Sequence, residues 1–165
     1  MRPVVATVGP ILASTANNIA LSQTPGAAGA LNLNGSLVSG GIAYLGSTPG
    51  AAQRIKITTA DTTHIFSVTG TTPTGAVISE TVGPITTSAY TAQDFYTVTS
   101  VTINGAATAA VTVGTSGIAS TPWVRLDEWA SPQVDIQCDA SGTVNYTVQS
   151  TQDDPNSPTN PVLPQ

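Results

Sequence analysis

Between Gln53 and Gly117 the chain repeats one pattern: short β-branched runs separated by turn residues. The runs are Arg54 to Thr58, Ile65 to Thr69, Ala76 to Thr81, Tyr96 to Ile103 and Ala109 to Val113. Each reads as a strand. The breaks are Gly70 to Gly75, Val82-Gly83-Pro84 and Asn104-Gly105, which offer a positive φ or a fixed φ where the chain must reverse. In the first run Arg54 and Lys56 share one face and Ile55 and Ile57 the other, as in a half-buried antiparallel sheet. The longest run breaks this rule, because Tyr96 and Val98 share a parity and Val101 and Ile103 share the opposite one. Either both of its faces are buried, or a bulge near Ser100 resets the register.

A second alternating signal follows. Val134, Ile136 and Cys138 alternate with Asp135, Gln137 and Asp139; beyond Ala140-Ser141-Gly142, Val144, Tyr146 and Val148 alternate with Asn145, Thr147 and Gln149. This predicts a β-hairpin with one dry and one wet face. Ahead of the central stretch the pattern is weaker. Val4 to Val8 form a possible strand before Gly9-Pro10, residues 14–23 read as a strand or an extended arm, and Leu31-Asn32-Leu33-Asn34 alternate before Gly35. Thr24-Pro25-Gly26-Ala27-Ala28 recurs as Thr48-Pro49-Gly50-Ala51-Ala52, which is either a turn built twice or a coincidence of common turn chemistry. The tail from Asp153 is broken by Pro155, Pro158, Pro161 and Pro164 and cannot join a ladder.

The expected fold is all-β: an antiparallel β-sandwich or jelly-roll-like body with an extended N-terminal arm and a proline-rich C-terminal tail. The expected organisation is residues 1–52 as arm and Gly/Ala-rich β segment, 53–117 as central β module, 118–152 as a C-terminal hairpin segment packing on the same core, and 153–165 as extended tail.

Composition narrows the function classes. Only 8% of the 165 residues are charged, against about 25% in ordinary domains, so the surface must be built from Thr, Ser, Asn, Gln and Ala. Such a surface suits packing against other subunits. A net charge of −5 with four Lys and Arg argues against nucleic acid as a partner, because phosphate neutralisation needs clustered cations. The 40% hydrophobic content argues against disorder, and no run is long enough for a transmembrane helix. No signal peptide is expected, since Gly9-Pro10 interrupts the apolar stretch after Arg2. Cys138 is alone, which excludes an internal disulfide and a cysteine-based zinc site.

His64, with Asp61 three residues earlier, is the sole histidine on which a Ser-His-Asp arrangement could rest, yet no nucleophile-elbow motif accompanies it. Asp127-Glu128 and Asp153-Asp154 lack the spacing of a calcium loop, and no glycine loop carries the lysine of a phosphate site. The sequence therefore predicts no enzyme activity, no cofactor and no metal. Trp123 and Trp129 are assigned to a core or an interface.

The segments Phe66 to Gly70, Gly75 to Thr81, Tyr96 to Val101 and Ala109 to Gly114, together with Gly142 to Gln149 followed by Asp153-Asp154-Pro155, resemble β modules of small virion proteins of tailed bacteriophages. That resemblance implies a capsid decoration, or cement, protein on the outer head surface, with the major capsid protein and copies of itself as partners in a homo-oligomer, dimer or trimer. Contacts are then expected from Val4 and Val5 in the arm, Trp123, Trp129, and Pro155, Pro158 and Pro161 in the tail. A tail or head-fibre component is the alternative in the same class, and a host-glycan binder using Trp123, Trp129 and Tyr146 the alternative outside it.

Overall fold

A computed structural model describes residues 7–46, 51–121, 137 and 143–148. The chain divides into two compact units, Met1–Thr121 and Pro122–Gln165. The first unit is an antiparallel β-sandwich. Its strands are β1 (Ala20–Gln23), β2 (Gly29–Ala30), β3 (Val38–Ser39), β4 (Ile42–Tyr44), β5 (Ile55–Thr58), β6 (Phe66–Thr71), β7 (Val77–Val82), β8 (Ser88–Tyr90), β9 (Thr97–Ile103) and β10 (Val111–Thr115). One sheet has the order β1-β10-β5-β8; the other runs β3-β4-β9-β6-β7, with β2 also paired to β9. Strands from the first 52 residues and from the central stretch thus share both sheets.

Alternation builds the interior. Ile55, Ile57, Phe66, Val68, Val111 and Val113 are fully buried, while the intervening Lys56, Ser67 and Thr112 are half-buried on the outward faces. Leu45, Phe95, Val98 and Val101 join them in one core. The parity conflict in β9 is resolved by a bulge. Thr69 faces Ser100 but Gly70 faces Val98, so Thr99 is an extra residue opposite no partner. Val98, Val101 and Ile103 can therefore all point inward despite their opposite parity, and Thr99 is exposed.

Two glycines in this region act through close approach. A Cβ on Gly70 would fall on the Thr97 carbonyl oxygen beside the Phe95 ring, and one on Gly105 would fall on the His64 ring. Neither has a positive φ, unlike Gly75 (φ 85°) and Gly83 (φ 116°). The expectation that Asn104-Gly105 turns through a special backbone angle is corrected accordingly: the glycine makes room for a ring.

Leu31 to Asn34 do not form the predicted strand. Their polar groups are engaged singly instead: Leu31 N donates to Val101 O of β9 at 2.8 Å, Leu21 N of β1 to Asn34 Oδ1 at 2.9 Å, and Asn32 N to Gln23 Oε1 of β1 at 2.9 Å, while the following Gly35 N donates to Ile19 O, just before β1, at 3.0 Å. The described part of the N-terminal arm lies along its own sheet. Thr15 N donates to Thr115 O at 3.0 Å, Thr115 Oγ1 to Ala13 O at 2.7 Å, and Asn18 bonds both Thr115 N and Thr115 Oγ1 at 2.9 Å. Val4 and Val5 lie outside the described residues. The second copy of the Thr-Pro-Gly-Ala-Ala motif lies outside them too, except for Ala51 and Ala52, which are buried where Ala27 and Ala28 are exposed. Of the predicted C-terminal hairpin, Thr143 to Val148 carry no strand and are exposed, Gln137 is exposed, and the rest lies outside the described residues.

Candidate functional site

The polar side chains that the first unit holds in fixed geometry fall into three places. At the first, Asp61 follows β5 in an Asp-Thr-Thr-His sequence, the spacing at which an aspartate bonds the backbone two and three residues on. Its Oδ1 accepts from Thr63 N at 2.9 Å and His64 N at 3.0 Å. Its Oδ2 accepts from His64 Nδ1 at 2.9 Å and Thr108 N at 2.9 Å. Asp61 O also accepts from Ile85 N at 3.2 Å. One fully buried residue thereby ties together the β5–β6, β7–β8 and β9–β10 loops. Burial acts to raise the Asp61 pKa, but the bonds from Thr108 N, Thr63 N, the His64 ring and His64 N outweigh it and hold the carboxyl well below the usual aspartate range.

The Asp61–His64 pair has the orientation of the acid and base of a hydrolytic triad, with Nδ1 on the carboxylate. The far side of the imidazole lies against Gly105, and among the described residues no hydroxyl or thiol is bonded to Nε2. What the arrangement does is fasten loops.

At the second place, Arg54, Asp94 and Ser120 meet where the chain leaves the sandwich. Ser120 N donates to Asp94 Oδ2 at 2.6 Å, Arg54 N to Ile118 O at 2.8 Å, Ser116 N to Arg54 O at 3.2 Å, and Gly117 N to Gln53 Oε1 at 3.3 Å. Arg54 Nε stands 4.0 Å from Asp94 Oδ1, too far for a hydrogen bond. Burial pushes the Asp94 carboxyl above its ordinary value, against the Ser120 bonds and the Arg54 charge, which pull it down. At the third place, Glu80 points into the sandwich from β7 and its two oxygens accept from Ala92 N at 2.6 Å and Gln93 N at 2.8 Å. All three places secure loops to strands.

Among the described residues no group of three or more His, Cys, Asp or Glu is placed to hold a metal ion. A shallow depression of about 430 Å³ lies on the outer face of the four-stranded sheet, lined by Thr58, Thr59, Ala60, Thr86, Thr87, Ala110 and Thr112. It brings together methyl and hydroxyl groups and no charge.

The outward face of the six-stranded sheet is the most extended feature. Tyr44, Ser67, Thr69, Thr71, Val77, Ser79, Thr81, Thr97, Ser100 and Thr102 share it, and none is charged. Its hydroxyls bond one another, as in Thr71 with Thr97 at 2.7 Å and Ser79 with Thr69 at 3.1 Å. Of the interface residues expected from sequence, Val4, Val5, Trp123, Trp129, Pro155, Pro158 and Pro161 lie outside the described residues; Tyr146, from the glycan alternative, is 65% exposed. Sequence reasoning passed over Asp94 and Glu80. The signal for Glu80 was its place on the parity of Ile78 and Val82, where a core residue belongs.

The class that fold and surface define is an antiparallel β-sandwich with an uncharged sheet face. No known family model, curated protein or solved structure matches the chain.

Proposed function

We propose that this chain is a non-enzymatic capsid decoration (cement) protein of a tailed bacteriophage, which binds the outer surface of the head and stabilises contacts between capsomers. The observation that carries the proposal is the uncharged, hydroxyl-covered outward face of the six-stranded sheet, with Val77 74% exposed and Tyr44 46% exposed within it. A face of this kind has little ionic solvation to lose on docking, and contacts that are weak one at a time sum when many copies engage a repeating lattice. The sequence resemblance to phage virion modules supplies the particle, and the sheet face supplies the means. Copies of the chain bridging adjacent capsomers would then resist internal pressure without any catalytic step.

Immunogold electron microscopy of intact particles with antibody to this chain tests the proposal. Regular labelling over the head is the expected result. Labelling confined to the tail would move the protein to a tail or fibre position, and unlabelled particles would overturn the virion reading.

A further inference from the structure

The sandwich has four sheet edges, and three of them are closed or short. β1 carries a bulge between Ala20 and Gln23, and its outer side is bonded by Asn34, Asn32 and Gly35. β3 has two residues and β8 three. β7 is different. It has six residues, no proline, no lysine and no bulge, and among the described residues it pairs only with β6. Natural edge strands of this length are ordinarily guarded by one of those devices or by an inward-pointing charge; the one charge on β7, Glu80, is already bonded to Ala92 N and Gln93 N and leaves the outward backbone groups open.

The directions of its backbone groups follow from the hairpin. Thr72 N donates to Ala76 O at 2.9 Å, and the register continues as Thr71 with Val77 and Gly70 with Ile78. In an antiparallel pair the bonded positions alternate, so Ile78, Glu80 and Val82 face β6 with their N–H and C=O groups. Those of Val77, Ser79 and Thr81 point outward. The bond from Tyr96 N to Thr71 O, at 2.7 Å, confirms the phase from the other side of β6.

We propose that β7 pairs antiparallel with β7 of a second copy, on a two-fold axis at Ser79, so that the two six-stranded sheets become one. This register sets Val77 against Thr81 of the partner subunit and closes the outward backbone groups of all three residues. It is also the register that Glu80 tolerates. The Glu80 carboxylate is already bonded to Ala92 N and Gln93 N, and it meets an isoleucine across the seam instead of a second glutamate. A six-residue edge buries less than the roughly 1,200–2,000 Å² of a stable interface, so the dimer forms with concentration, as on a crowded lattice. The inference rests on the self-association within the virion reading, and it is tested on the isolated chain.

Sedimentation velocity over a concentration series compares the natural chain with Ser79→Pro and Ser79→Ala. Proline removes an N–H that β6 does not use and blocks the outer side of the strand. The expected result is a monomer–dimer equilibrium in the natural chain and in Ser79→Ala, and loss of the dimer in Ser79→Pro with its melting temperature nearly kept. In an independent test on a Cys138→Ala background, Ser79→Cys should form a disulfide-linked dimer on mild oxidation, because directly bonded residues have Cα atoms about 5.5 Å apart, within disulfide reach. Thr99→Cys, exposed on the bulge and away from this edge, is the control. A natural chain that is monomeric throughout, a trimer, a dimer that survives Ser79→Pro, or cross-linking no greater than that of the control would overturn the pairing. None of these results would bear on where antibody labels the particle.

Discussion

Asp61 is buried and Asp94 half-buried; both fasten loops, yet their surroundings push them in opposite directions. Asp61 has a folded-state pKa below the unfolded value of about 3.9, so its stabilising effect is full above that pH and is lost as the pH falls through the folded value. The urea midpoint of the natural chain should therefore drop below about pH 4, while Asp61→Asn should start lower at neutral pH and fall less steeply. Asp94 is raised, so its contribution is fully present below about pH 3.9 and is lost as the pH rises through the folded value. A carboxyl-detected NMR titration should find Asp94 protonating first and Asp61 still charged after ordinary aspartates have protonated. The same order on unfolding in urea would show that the fold does not set it. Packing at single residues is simpler. Phe95 is fully buried in the core, and Phe95→Ala should cost about 3–5 kcal/mol in equilibrium unfolding.

Among the elements, β9 shows how much the sequence could say. Its conflicting parities announced either a two-sided strand or a bulge, and the extra Thr99 supplies the bulge. Deleting Thr99 should turn Val98 and its neighbours to the wrong face and leave the chain insoluble or unfolded by circular dichroism, since a one-residue slip inverts every side chain. Five of the six strands between Gln53 and Gly117 were legible to within a residue or two because their β-branched alternation is set locally. The three-residue β8 and the short β2 to β4 were not, and β1 was legible only as part of residues 14–23, read as a strand or an extended arm. Two to four residues carry too little periodicity, and their positions depend on partners far along the chain, such as β10 for β1 and β9 for β2 and β4. Leu31 to Asn34 imitated a strand, but the Asn34 side chain and the Asn32 backbone are bonded to Leu21 and Gln23 of β1 instead. The structural reasons for Gly70 and Gly114 were likewise hidden, because close approach is a tertiary property. A Cβ at Gly70 meets the Thr97 carbonyl, and Gly70→Ala should destabilise by about 1–3 kcal/mol in urea unfolding. A Cβ at Gly114 meets the Thr15 carbonyl, so Gly114→Ala should displace the arm and make residues 7–18 sensitive to proteinase K.

For the whole molecule, the low charge read from the sequence reappears as geography. Asp61, Asp94 and Glu80 are turned to loop-fastening, Arg54 lies beside Asp94, and the broad sheet face is left neutral. The acid–base pair of Asp61 and His64 was visible as a spacing, while its enclosure against Gly105 and Thr108 needed the fold. The seam between β1 and β10 joins the two ends of the sandwich: Ala20 lies opposite Val113, and Thr15 is bonded to Thr115. Both chain ends of the body therefore leave from one pole. Tension applied between them loads the seam as a zipper, one rung after another, instead of shearing all its rungs together. A tether through the termini is thus the weakest way to load this protein, whereas loads entering across the sheets bear on many strands at once.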